Sequence, residues 1–166
     1  MLEPIDDVRA LLARVRRERV PLLLFFSTPG CPYCIEVRRN YLAPRARDAR
    51  AGVLIREVDI VSQRSFIDAD GKPITEARFA ARFGARVVPV VLLVDANLTP
   101  LGDPLIGLDG AGFYEAYLAN AIEAVVAVDP PRAIEVRALR SGDGHVRIEV
   151  EDSGPGVPLE VRDRLF

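Results

Sequence analysis

The apolar run Val20-Pro21-Leu22-Leu23-Leu24-Phe25-Phe26 leads through Ser27-Thr28-Pro29-Gly30 into Cys31-Pro32-Tyr33-Cys34. The run has no polar alternation and is bounded by turn residues, which predicts a strand buried on both faces, as in a parallel sheet. Pro32 suits the first turn of a helix, because its missing N–H would be unpaired there in any case. A buried strand that delivers Cys-x-x-Cys to the mouth of a helix requires an α/β architecture and points to dithiol redox chemistry. Cys31 and Cys34 are the only cysteines in the 166 residues, so the chain is not a disulfide-stapled secreted domain.

The other segments follow from periodicity and punctuation. Asp6 or Asp7 caps a helix with Val8, Leu11, Leu12 and Val15 at helical spacing. A helix is expected from Cys31 or Pro32 to about Arg50, kinked or split at Pro44. A second strand is expected over 53–60, then a polar segment with a turn at Asp70-Gly71-Lys72-Pro73. Thr75 caps a short helix closed by Gly84, and 87–94 reads as a third strand. An edge strand over 101–106 and a helix over 113–126 complete a domain spanning 1–126. The order is strand, helix, strand, helix, hairpin, helix. It predicts an α/β fold with a central mixed sheet flanked by helices. After Asp129-Pro130-Pro131, two alternating segments, 133–138 and 145–150, flank Ser141-Gly142-Asp143-Gly144 and predict an appended β-hairpin in a separate segment, 127–166.

A formal net charge of −2 gives no reason to expect nucleic acid or an anionic membrane as partner. No segment reaches the roughly 20 apolar residues of a membrane span. The acidic start, Met1-Leu2-Glu3-Pro4-Ile5-Asp6-Asp7, lacks a signal-peptide pattern. The expected compartment is the cytoplasm, or the periplasm if a leader has been removed.

Cys31, at the start of a helix, is expected to be the attacking sulfur. Backbone N–H groups and the positive end of the helix dipole favour its thiolate. Cys34, one turn further in, would resolve the mixed disulfide. Pro32 and Tyr33 supply no cation to the thiolate, so a potential between those of strong reductants and strong oxidants is expected. The two sulfurs carry the electrons themselves, so neither cofactor nor metal is called for. The competing readings are a chance pair or half of a zinc site, but zinc needs about four ligands and the single histidine is His145. Arg38, Arg39, Arg45 and Arg47 read as a solvated basic face. Asp59, Asp68 and Asp70 read as turn and solvent residues.

The segments Phe25-Phe26-Ser27-Thr28-Pro29-Gly30-Cys31-Pro32-Tyr33-Cys34 and Val87-Val88-Pro89-Val90 resemble the thioredoxin superfamily over roughly residues 5–126. The resemblance implies a thioredoxin fold and thiol–disulfide oxidoreductase activity toward protein disulfides or dithiols. It also implies a reductase or other electron donor as partner. Pro89 matches the family's cis-proline, and Val88 the residue whose backbone pairs with substrate; Pro32 and Tyr33 flank the same groove. Two positions depart from the pattern. Phe25 stands where thioredoxins carry a buried acid, and Glu57 matches the usual lysine. Cys-Pro-Tyr-Cys is also the glutaredoxin dithiol, but the Gly-Gly signature for glutathione is absent.

The C-terminal part, about 118–166, resembles the start of the ATP-binding domain of sensor histidine kinases. Asn120 matches the Mg²⁺-holding asparagine, and Asp152, Gly154 and Gly156 match the Asp-x-Gly-x-Gly that binds adenine. The second glycine box and the lid are missing, so negligible ATP binding is expected. The leading function is thus dithiol exchange. The alternatives are a redox-sensing or binding module fused to an incomplete kinase, and a scaffold whose dithiol is only structural.

Overall fold

The computed structural model describes residues 2–48, 50–108, 113–126, 134–140 and 146–152. Contacts divide the chain into two units, Met1–Ala127 and Val128–Phe166. In the first unit α1 (Val8–Glu18) is capped by the Asp7 carboxylate, which accepts from the Ala10 N–H at 3.1 Å. This satisfies one of the orphan donors of the first turn. The β1 strand (Leu22–Ser27) is buried along its whole length, as its unbroken apolar run requires.

After β1 the chain runs through α2 (Pro32–Glu36), a π-helical turn (Val37–Leu42) and α3 (Ala43–Arg47). The split expected at Pro44 therefore takes the form of a wider turn. The Ala43 N–H reaches back five residues to the Arg38 carbonyl, and Pro44 sits in the first turn of the α-helical segment that follows. There its missing N–H leaves little unpaired.

The four-stranded sheet has the order β2-β1-β5-β6, with β2 (Leu54–Asp59), β5 (Val90–Val94) and β6 (Leu105–Ile106). The β1–β2 pair is parallel and the β1–β5 and β5–β6 pairs are antiparallel, so the sheet is mixed, as expected. The third strand starts three residues later than its apolar run, at Val90. The polar segment before α4 (Glu76–Arg82) is not a simple loop: β3 (Ser65–Ile67) and β4 (Pro73–Thr75) pair antiparallel. Its alternation was too short to read.

Alternating residues of β1 and β5 feed two apolar layers. Leu24, Phe26, Val90 and Leu92 pack with α1 and α4 on one face. Leu23, Phe25, Val91 and Leu93 pack on the other with Cys34, Val37 and residues of α5 (Tyr114–Val126). Each fully buried large side chain contributes roughly 1.5–3 kcal/mol. No helix among the described residues is long and apolar enough to cross a membrane. In the second unit β7 (Ile134–Arg140) and β8 (Val146–Asp152) form an antiparallel hairpin with Val136 opposite Val150 and Ala138 opposite Ile148.

Candidate functional site: a dithiol at a helix mouth

Three local features place Cys31. Gly30 adopts φ +78°, a left-handed conformation that glycine takes freely. The Cys31 N–H reaches back to the Thr28 carbonyl at 3.4 Å. Cys31 itself is extended (φ −75°, ψ 112°) and caps α2, with its sulfur accepting from the Cys34 N–H at 3.1 Å. A sulfur so placed receives a backbone donor and the positive end of the helix, both of which favour a thiolate once the pair is reduced.

Cys31 and Cys34 are joined in a disulfide with Cα atoms 5.2 Å apart, within the usual span of such a bond. The two sulfurs differ in access. Cys34 is fully buried, whereas Cys31 is partly exposed. Tyr33, between them, is 59% exposed. The Val88–Pro89 peptide is cis. Pro89 is buried just before β5, and its carbonyl accepts from the Gly107 N–H at 2.8 Å. Cys31 and Val88 pack against the same buried cluster, the one that holds Cys34 and Phe25.

Beside the dithiol lies a polar cluster. Phe25 of β1 and Glu57 of β2 are register partners. The Glu57 carboxylate accepts from Ser27 Oγ at 2.6 Å and from Arg38 Nε at 2.9 and 3.0 Å, and a second Arg38 nitrogen, Nη2, also donates to it. Arg38 is one turn beyond Cys34, and its guanidinium stands 5.8 Å from the Phe25 ring centroid, within cation–π range. The hydrogen bonds that Arg38 donates to the Glu57 carboxylate hold the Arg38 pKa above its ordinary value.

This corrects the reading of Arg38 and Arg45 as solvated. Arg38 spans from the π-helical turn to β2, and Arg45 pairs with Glu115 of α5 at 2.8 Å. Asp68, read as a turn residue in solvent, is buried and pairs with Arg82 at 2.6 Å. The Arg38–Glu57 link has a faint sequence signal, a cation one turn after Cys34 and an acid two residues from the end of a strand. Only the strand register brings them together.

Asn120 is exposed on α5, in the first unit, and Asp152 ends β8 in the second. Gly154, Gly156 and His145 lie outside the described residues.

The thioredoxin-like domain family matches residues 8–119, more than half of the chain. The chain belongs to this family. No curated protein matches it. Among solved structures it is similar to the DsbH oxidoreductase, with TM-score 0.51 and 20% identity over 75% of this chain and 84% of that one. A thioredoxin-fold protein from Helicobacter pylori matches with TM-score 0.48 and 16% identity, covering 63% of this chain and 70% of that one. The oxidised C-terminal domain of DsbD from Neisseria meningitidis matches with TM-score 0.45 and 20% identity, over 71% and 99%. At these identities the likeness to the DsbH oxidoreductase establishes the fold alone. The family match and the paired Cys31 and Cys34 support thiol–disulfide oxidoreductase chemistry in general terms.

Proposed function

We propose that this protein exchanges disulfides with protein substrates through Cys31 and Cys34. The observation that carries the reading is the asymmetry of the pair: a partly exposed sulfur at a helix cap joined to a fully buried one. In the reducing direction the Cys31 thiolate attacks one substrate sulfur. The substrate S–S bond breaks, a mixed disulfide forms, and the departing thiolate takes a proton from water. Cys34, as thiolate, then attacks the Cys31 sulfur and releases the second substrate thiol. Two electrons have passed from the dithiol to the substrate, and a reductase or other donor of two electrons restores the pair. The oxidising direction is the reverse. Tyr33, Pro32, Val88 and Pro89 form the ground on which the substrate chain lies.

An equilibrium titration in glutathione buffers tests this. A reversible two-electron transition is expected; near −270 mV the protein would serve as a reductant, near −120 mV as an oxidant (roughly the thioredoxin and DsbA values). Cys31→Ser should abolish turnover, and Cys34→Ser should accumulate the mixed disulfide. Sulfurs that show no transition and resist labelling in the folded protein would favour a structural disulfide instead.

We further assign the activity to residues 1–126, which the division of contacts at Ala127 supports. Residues 127–166 are expected to add no nucleotide binding. Micromolar affinity for Mg²⁺–ATP by calorimetry would reverse that assignment.

A further inference from the structure

We propose that release of the partner, rather than attack on it, limits exchange at this dithiol, because Cys34 has no free base beside it to take its proton. The mixed disulfide on Cys31 then builds up during turnover and decays faster as pH rises. The inference rests on the dithiol reading above and adds the regulation of that site. In the release step the Cys34 thiol first gives its proton to a base. Its sulfur then bonds to the Cys31 sulfur, the bond from Cys31 to the partner breaks, and the partner leaves as a thiolate that takes a proton from water. Only a thiolate attacks, so loss of the proton sets the rate where no base is at hand.

Cys34 is fully buried and shares one apolar layer with Leu23, Phe25, Val37 and Val91. Such surroundings disfavour a charged sulfur. The Cys31 sulfur accepts from the Cys34 N–H at 3.1 Å, whereas no hydrogen bond among the described residues reaches the Cys34 sulfur. Of the described carboxylates only Asp68 and Glu76 are buried. Each is held by an arginine, and the hairpin and α4 that carry them pack through Phe66, Ile74 and Phe79 in the layer on the other face of the sheet.

On the Cys34 face, Glu57 is the register partner of Phe25. Its Oε1 accepts from Ser27 Oγ and Arg38 Nε, and its Oε2 from Arg38 Nε. A proton from Cys34 would have to displace these donors. Asp59, two residues on, accepts from the Val61 N–H at 3.0 Å. Tyr33 and Glu36 of α2 are exposed, Glu115 of α5 is bound to Arg45, and Glu3 is bound to Arg56. Tyr41 and Tyr114 pack on the Cys34 layer, but phenols keep their own proton up to about pH 10. The Cys34 proton must therefore pass to hydroxide or to a buffer base from solvent, and that transfer quickens as pH rises.

The test mixes the full reduced chain with a symmetric disulfide-linked peptide for a single turnover, quenches in acid and reads the intact protein by mass spectrometry. Near neutral pH the mixed disulfide should dominate before the oxidised chain appears, with attack about tenfold or more faster than release; Cys34→Ser reads attack alone. Release should rise about tenfold per pH unit between about pH 6 and 8, since one proton must leave below the ordinary thiol value of about 8.5. Phe25→Asp puts a carboxylate into the Cys34 layer and should raise release near neutral pH about tenfold or more, with a flatter pH dependence. Should that variant not fold, the pH profile of the unaltered chain still decides. A folded Phe25→Asp chain with unchanged release, a release rate flat in pH, or an oxidised chain with no mixed disulfide before it would each overturn the proposal and leave the dithiol reading standing. Neither mixed disulfide nor oxidised chain at any pH would remove both.

Discussion

Two regions of the first unit use the same chemical device for different ends. Beside the dithiol, Arg38 and Glu57 join the helical run after Cys34 to β2. At the β3–β4 hairpin, Arg64 pairs with Glu76 at 2.6 Å, Arg82 pairs with Asp68 at 2.6 Å, and Arg64 also donates to the Ile5 carbonyl at 3.0 Å. The carboxylates there, Glu76 of α4 and Asp68 of the hairpin, are the more deeply buried, with side chains 8% and 5% exposed against 19% for Glu57. Depth of burial therefore does not mark the reactive region. What separates the two is the cargo of each arginine: Arg38 rides on the π-helical turn that continues the helix carrying Cys34, while Arg64 and Arg82 tie the inserted hairpin to the N-terminal segment and α4. The first pair lies against Phe25, which shares a buried cluster with Cys34. The second acts only on packing.

The largest effect that tests this contrast is on stability. Arg64→Ala leaves the Glu76 carboxylate buried without its cation and should cost about 2–3 kcal/mol in urea unfolding, less than for a fully enclosed pair because Arg64 is 38% exposed. The dithiol potential should stay where it was. A shift in potential as large as that of the next variants would erase the distinction.

Next come Arg38→Gln and Glu57→Gln, read by redox titration. Loss of the cation disfavours a thiolate and should make the potential more negative; loss of the anion should make it less negative. Each shift is expected on the order of 30 mV, a tenfold change in the exchange constant. Shifts in the same direction would show that the pair acts through helix position rather than through charge.

A smaller effect concerns α4. Thr75 caps it by accepting from the Arg78 N–H at 3.3 Å, so Thr75→Ala should cost about 1 kcal/mol with disulfide exchange unaltered.

The smallest is a pH effect on exposed groups. The Ala10 N–H holds the Asp7 carboxyl below its usual pKa, and the Lys72 N–H does the same for Asp70. A depressed folded-state value means that the folded chain binds fewer protons in this range. Their stabilisation is then complete above the unfolded carboxylate value, about 3.9, and fades as pH falls through the lower folded values. Asp7→Asn, which keeps a capping oxygen, should lower the urea midpoint slightly at neutral pH and match the original chain in strong acid. A difference that persists unchanged into acid would assign the effect to shape rather than charge.

Much of the fold was legible because local rules agreed with one another. The buried run at β1, the cap at Asp7, the cap at Thr75 and the stop at Gly84 each carry their own signal, and each appears within a few residues of its expected place. Where pairing over distance decides, the reading fell short. The β3–β4 strands have three residues each, too few for alternation to show. The third strand shortened because Val87 to Pro89 precede the ladder with β1 instead of joining it. Asp68 looked like any turn aspartate until Arg82, fourteen positions on, came within 2.6 Å.

The candidate site divides the same way. Cys31, Cys34 and the helix they open are adjacent in the chain, so covalent order alone set their spacing, and residue type alone set their chemistry. Side-chain access, the meeting of Cys31 and Val88 on one cluster and the Ser27–Glu57–Arg38 link are tertiary. Each joins elements separated by tens of residues, and strand register determines which side chains share a face. That register follows from the burial of whole layers, a property no short stretch of sequence contains.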